Sequence, residues 1–222
     1  MSVAIEKPRE DVPMIDRIKP LPRDRRGYPV PWFVQWIDGE PSFPTLDTRK
    51  MILAVRQKRC WICGQSLGRW LTFVVGPMCT LNRVSAEPPC HDDCATYAVK
   101  VCPFMINPRM GRIPDAKRPE GVTISAMHDP RNPGVMATYH ARTFQPDADG
   151  NGHPIFMMGP PIGGVVWWTR GRHATRQEVE EALREGGERL RAGAIQYDGG
   201  TPEALAEVDR VIKRGADLLP SK

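Results

Sequence analysis

The sequence predicts an α+β protein with a metal-binding middle, a small antiparallel sheet and a C-terminal helical hairpin. Three observations carry this prediction. Two pairs of cysteine and histidine ligands, Cys60 with Cys63 and His91 with Cys94, stand at the spacing of a metal site. After residue 120, short β-branched and aromatic runs are separated by Gly, Pro, Asn and Asp. From Thr175 onward the apolar residues recur at helical spacing.

At 222 residues the chain can bury a full core without disulfides. Its 23 prolines are about twice the usual share and predict turn-rich structure. Residues 1–27 place Pro8, Pro13, Pro20 and Pro22 among charges, with few apolar residues to bury, so an extended or disordered segment is expected there. Folded structure is expected from Tyr28, with a zinc-containing α+β domain over residues 28–170 and the helical hairpin over 171–222. Pro29 to Ile37 is an apolar, aromatic run closed by Asp38-Gly39, which reads as a strand and turn. Asp47 can cap a short helix whose Met51, Ile52 and Val55 share one face. Trp70 to Val75, Gly76-Pro77 and Met78 to Val84 suit a β-hairpin. Strands are expected over Val122 to Met127, Val135 to Phe144, Ile155 to Met158 and Val165 to Trp168. Thr175-Arg-Gln-Glu178 is a capping box that opens a helix carrying Val179, Ala182, Leu183, Gly186 and Leu190. Thr201-Pro202 opens a second helix, with Leu205, Val208, Ile212 and Leu219 as its apolar stripe.

The chemistry is concentrated in the cysteines. In Cys60-Trp-Ile-Cys63-Gly64 a single tight turn can aim both sulfurs at one point, and Gly64 permits the backbone angles that follow. His91-Asp-Asp-Cys94 lies at the start of a helix-like run, where positions i and i+3 share a face. Three thiolates and an imidazole are the donor set of one structural zinc ion, and four protein ligands leave no coordination position for water. Cys90 stands four residues from Cys94 and is the alternative to His91 as a ligand, although the i, i+3 pair suits an opening helical turn better. Cys79 and Cys102 read as buried apolar fillers. A redox dithiol at Cys60 and Cys63 would require a strand-then-helix setting, whereas these cysteines follow a basic helix. A zinc deaminase would require Pro-Cys-x-x-Cys, and Pro89-Cys90 is not followed by a cysteine at that spacing.

The order of knuckle, hairpin and helix over Arg59 to about Pro103 resembles treble-clef zinc fingers. That resemblance implies knuckle ligands at Cys60 and Cys63 and helix ligands at His91 and Cys94. Some treble-clef proteins are HNH-type nucleases with a histidine on the hairpin. The hairpin region here offers Thr80, Asn82 and Arg83, which implies at most a degenerate nuclease. Arg-Arg-Gly-Tyr-Pro-Val-Pro-Trp-Phe, Cys-Trp-Ile-Cys-Gly, Phe-Val-Val-Gly-Pro-Met-Cys and Cys-Pro-Phe-Met together resemble a set of uncharacterised bacterial and phage proteins. That resemblance implies a zinc domain and brings no activity with it.

The formal charge of +5 and pI near 9.0 permit an acidic partner, and a three-thiolate zinc site lowers that charge by one. Basic residues gather at Arg23, Arg25 and Arg26, at Arg56, Lys58, Arg59 and Arg69, and at Arg170, Arg172 and Arg176 beside Trp167 and Trp168. Arginine among aromatic rings is the composition of a nucleic-acid surface. The expectation is a non-catalytic binding module for nucleic acid or a nucleic-acid-associated complex. The alternative is a protein–protein adaptor acting through the C-terminal helices, where Glu178, Glu180, Glu181, Glu185 and Glu188 would repel phosphates. Asp147-Ala-Asp-Gly-Asn-Gly152 matches half of a calcium loop but reads better as a turn. His128, His140, His153 and His173 stand singly. Apolar runs fall short of the roughly 18 residues that span a bilayer. The charged, proline-containing start lacks a secretory pattern, so a cytoplasmic protein is expected.

Overall fold

Asp38 and Gly39, both at positive φ (49° and 80°), close a two-residue turn between β1 (Val34–Ile37) and β2 (Glu40–Leu46). This is the backbone shape that matches the twist of an antiparallel pair, and it explains why the aromatic run ends where it does. The structure is a computed structural model that describes residues 7–107, 132–150 and 152–220. The strand expected at 122–127 and His128 lie outside those residues.

Asp47 caps α1 (Thr48–Arg56), its carboxylate accepting from Arg49 N and Lys50 N. The buried face is Met51 and Ala54, and Ile52 projects to solvent instead of sharing it. The knuckle follows, then β3 (Leu71–Val75), α2 (Pro77–Asn82), β4 (Val84–Ser85), α3 (Asp92–Val101) and α4 (Pro103–Ile106). The hairpin expected over residues 70–84 is therefore replaced by strand, helix and strand. Gly76-Pro77 starts α2 with Pro77 in its first turn, where the missing N–H costs nothing, and Thr80 Oγ1 donates to Gly76 O.

Strands β5 (Met136–Ala141), β6 (Phe144–Ala148), β7 (Pro154–Met158), β8 (Val165–Thr169) and β9 (Arg172–His173) complete two antiparallel sheets, ordered β3-β5-β8-β9 and β4-β7-β6. Asp149 sits in the turn between β6 and β7. Its carboxylate accepts from His153 N and contacts His153 Nδ1, so the calcium-like sequence builds a turn. The β3-β5-β8 region is buried on both faces. Phe73, Tyr139 and Trp167 point into the main core, while Met136 and Trp168 join Val99 of α3 on the opposite face.

The capping box forms in full, with Thr175 Oγ1 accepting from Glu178 N and Glu178 accepting from Thr175 N. It opens α5 (Arg176–Tyr197), which packs against α6 (Pro202–Arg214) and crosses α2. The last turn of the chain is a 3-10 helix, Gly215–Leu218. Val179, Ala182, Leu183 and Val211 from these helices belong to the same core as the metal region. At the crossing, a Cβ on Gly186 would lie 2.9 Å from Met78 N and 3.2 Å from Pro77 C, so α2 and α5 touch backbone to backbone.

Residues 7–27 do not form the loose extension expected. Ile18 is 1% exposed, Val12, Met14, Ile15 and Leu21 pack on the core, and Val30 N donates to Pro22 O. The isolated bridge between Arg23 and Pro29 closes the turn that leads to Tyr28. Arg9 reaches Lys100 O, and Arg17 reaches Gln65 and Asp93. Among the described residues, no helix is long and apolar enough to cross a membrane.

Candidate metal centre

The knuckle is framed by an antiparallel bridge between Arg59 and Ser66, with Cys60 N donating to Gln65 O at 2.7 Å and Gly64 N to Cys60 O at 2.8 Å. Gly64 takes φ +74°, and a Cβ there would strike the Trp32 ring at 2.7 Å, so both backbone shape and space demand glycine. Cys63 N approaches Cys60 Sγ at 3.5 Å, which gives that sulfur a backbone donor. Trp61, between the two cysteines, is buried and stacks on Phe33 with ring centroids 4.9 Å apart.

The second pair arrives on α3. His91 is the N-cap residue, but its ring turns away from the helix N–H groups toward the cysteines. Cys94 follows in the first turn and is fully buried. Two contacts tie the halves together: Trp61 N donates to Pro89 O at 3.1 Å, and His91 N approaches Cys60 Sγ at 3.4 Å.

Cys60, Cys63, His91 and Cys94 thus bring three sulfurs and one ring nitrogen within 4.8 Å of one another, a group that could hold one metal ion. His91 Nδ1 lies 3.4 Å from Cys63 Sγ and 3.9 Å from Cys94 Sγ. Tetrahedral zinc, with bonds of about 2.3 Å to sulfur and 2.0 Å to nitrogen, separates its ligand atoms by about 3.5–3.8 Å. His91 Nε2 lies 3.0 Å from Ser66 O, which fits a proton on Nε2 and a lone pair on Nδ1 aimed into the cluster.

The electrostatics favour a cation. Burial first, and then the neighbouring thiol of Cys63, push Cys60 up to about 11. Cys63 is held down to about 2 by hydrogen bonds from Cys60 and then Cys94. Cys94 is pushed up by Cys60 and then by Cys63. The direction of these shifts makes Cys63 the acceptor to which the Cys60 and Cys94 thiols donate. A divalent ion would replace those two protons.

Cys90 lies outside the group. Its backbone forms a bridge with Thr72, with N···O distances of 2.8 and 3.0 Å, and its thiol donates to Thr72 O at 3.1 Å. Cys79 and Cys102 are half-buried rather than fully buried, and all six cysteines are free of disulfides.

Residues that the sequence did not single out complete the surroundings. Arg17 reaches from the N-terminal segment to Asp93 Oδ2 at 3.1 Å and Gln65 Oε1 at 2.8 Å, so it clasps the knuckle to α3 beside a cleft of about 600 Å³ lined by Ile15, Asp16, Arg17, Gln65 and Asp93. His140 of β5 meets Asp92 at 2.6 Å. Neither pair had a local signal, because each joins residues at least 48 positions apart.

The candidate basic residues divide. Arg56, Lys58 and Arg69 are exposed, and among the described residues none has a carboxylate within ion-pair reach. Arg59 is half-buried and braces the knuckle through Gly64 O at 3.1 Å. Arg172 is paired with Glu178, whose carboxyl it holds down to about 2, and Arg176 binds Glu180 and Pro220 O. Arg170 is exposed in the turn between β8 and β9. Trp167 and Trp168 beside these arginines are 2% and 5% exposed, and their ring N–H groups donate to Leu218 O and Thr138 Oγ1, so they supply no stacking surface.

Comparison of the chain with protein-family models, with curated proteins and with solved structures finds no match.

Proposed function

We propose that this chain is a non-catalytic module, stapled by one zinc ion at Cys60, Cys63, His91 and Cys94, that binds nucleic acid or a nucleic-acid-associated complex. The knuckle and the ligand-bearing start of α3 support a treble-clef arrangement in which strand, helix and strand stand where the hairpin would be. Four protein donors fill a tetrahedron, so the ion supplies stability and no bound water. The observation that carries the binding reading is the group of exposed cations beside the knuckle, Arg56, Lys58 and Arg69, without acidic partners among the described residues. Phosphates release counterions when they meet such a surface, and affinity then falls steeply with salt.

The test is a titration of the purified, zinc-loaded protein against labelled single-stranded DNA, duplex DNA and RNA at low and moderate salt. Micromolar or tighter binding is expected, weakened by salt and weakened further when Arg56, Lys58 and Arg69 are replaced together by Gln. The salt slope should fall by about one for each lost phosphate contact. No binding at low salt would contradict this reading. It would bring forward an adaptor role for the C-terminal hairpin, where Ile195 and Tyr197 stand 61% and 78% exposed near the end of α5. Cleavage of plasmid DNA with added magnesium, abolished by a substitution that leaves the fold intact, would overturn the non-catalytic part.

A further inference from the structure

Trp70 leaves the knuckle just before β3 and is 53% exposed, unusual for the largest apolar side chain. The register Leu71↔Ala141 sets Trp70 opposite Arg142, and the Arg142 guanidinium sits over the indole ring, 4.8 Å from its centroid. Thr72, His140 and Thr138 continue the same face of the sheet inward, where α3 covers it. Trp70 and Arg142 therefore stand at the uncovered end of that face. Arg69 precedes Trp70 directly, and the Lys58 carbonyl accepts from Leu67 N at 2.7 Å, three residues before Trp70. The carboxylates at the start of α3 are engaged elsewhere, Asp92 by His140 and Asp93 by Arg17.

We propose that Trp70, steadied by Arg142 and flanked by Arg69 and Lys58, is a base-stacking platform that selects single-stranded nucleic acid. This rests on the nucleic-acid reading above and specifies its ligand. An indole already oriented by a guanidinium loses little freedom when a base stacks on it, and the cations alongside follow the phosphates. Bases within a duplex are stacked on each other and offer no free face, so the platform distinguishes strands by their unpaired bases. The same surface without Trp70 would attract any polyanion.

The test compares one fluorescent single strand with its own duplex at low salt, using the full-length zinc-loaded protein and its Trp70→Ala, Trp70→Phe and Arg69→Gln variants, each checked for metal content. The wild type should bind the single strand more tightly. Trp70→Ala should weaken that binding by about five- to a hundredfold while leaving duplex affinity nearly unchanged, and Trp70→Phe should keep most of it. Arg69→Gln should weaken both ligands together. Equal affinity of Trp70→Ala and wild type for the single strand would overturn the stacking platform and leave the electrostatic surface standing. Absence of binding by the wild type to either ligand would overturn both.

Discussion

Cys94→Ala is expected to lose the metal and with it the folded middle of the chain, while Cys90→Ala keeps both. Cys94 Sγ is one of four donors held within 4.8 Å of one another, and three donors cannot close a tetrahedron. An ion there would link residues 60–63 to residues 91–94, which are otherwise joined by the Trp61 N to Pro89 O hydrogen bond and by core packing around Trp61 and Ile62. Metal binding of this kind is folding free energy, so its loss should lower the thermal transition by about 10 °C or more in a chain of this length. Cys90 differs because its thiol is committed to Thr72 O and not to the cluster. Removing that thiol leaves a small buried gap worth about 1 kcal/mol and should leave metal stoichiometry unchanged. Metal analysis and thermal unfolding of the two variants read both outcomes. Retention of zinc by Cys94→Ala together with its loss from Cys90→Ala would reverse the ligand assignment.

Gly186→Ala is expected to destabilise the protein although it sits inside a helix, and Gly193→Ala to stabilise it. In an isolated helix each substitution should gain about 1 kcal/mol from propensity. At Gly193 nothing lies within 4 Å of the added Cβ, so about that gain should appear. At Gly186 the new carbon would meet Met78 N at 2.9 Å and Met78 Cα at 3.3 Å. These are backbone atoms at the start of α2, which cannot swing aside as a side-chain tip does. Forcing α5 off α2 is overpacking, with a cost of about 1–3 kcal/mol that outweighs the propensity gain. Chemical denaturation of the two variants measures the difference in sign. Equal stabilisation at both sites would mean that α2 and α5 do not touch here.

The locally encoded features were the legible ones. The Thr175 box, the Thr201-Pro202 start and the Asp38-Gly39 turn are local devices, in which residues three or four apart satisfy one another, and each forms as the sequence implied. The Cys/His pairs were legible for the same reason. What escaped the sequence was decided by distance. Gly76-Pro77 is chemically as good a helix start as a turn, and α2 is too short to show a period of 3.6, so the strand–helix–strand order had no local signature. The N-terminal segment looked too polar to fold, yet its anchor is Arg17, which joins residues 48 and 76 positions away. Trp167 and Trp168 suggested a surface because Arg170, Arg172 and Arg176 stand beside them in the sequence. Here the sheet is covered on both faces and neither tryptophan is exposed. The placement of Cys90 outside the cluster was likewise decided by a partner on another strand, Thr72.

X-ray absorption at the zinc edge of the purified, zinc-loaded protein tests the centre most directly. The predicted first shell is three sulfurs at about 2.3 Å and one nitrogen at about 2.0 Å, at one zinc per chain. A shell containing water oxygen, or one with fewer than three sulfurs, would contradict a closed structural site built from Cys60, Cys63, His91 and Cys94.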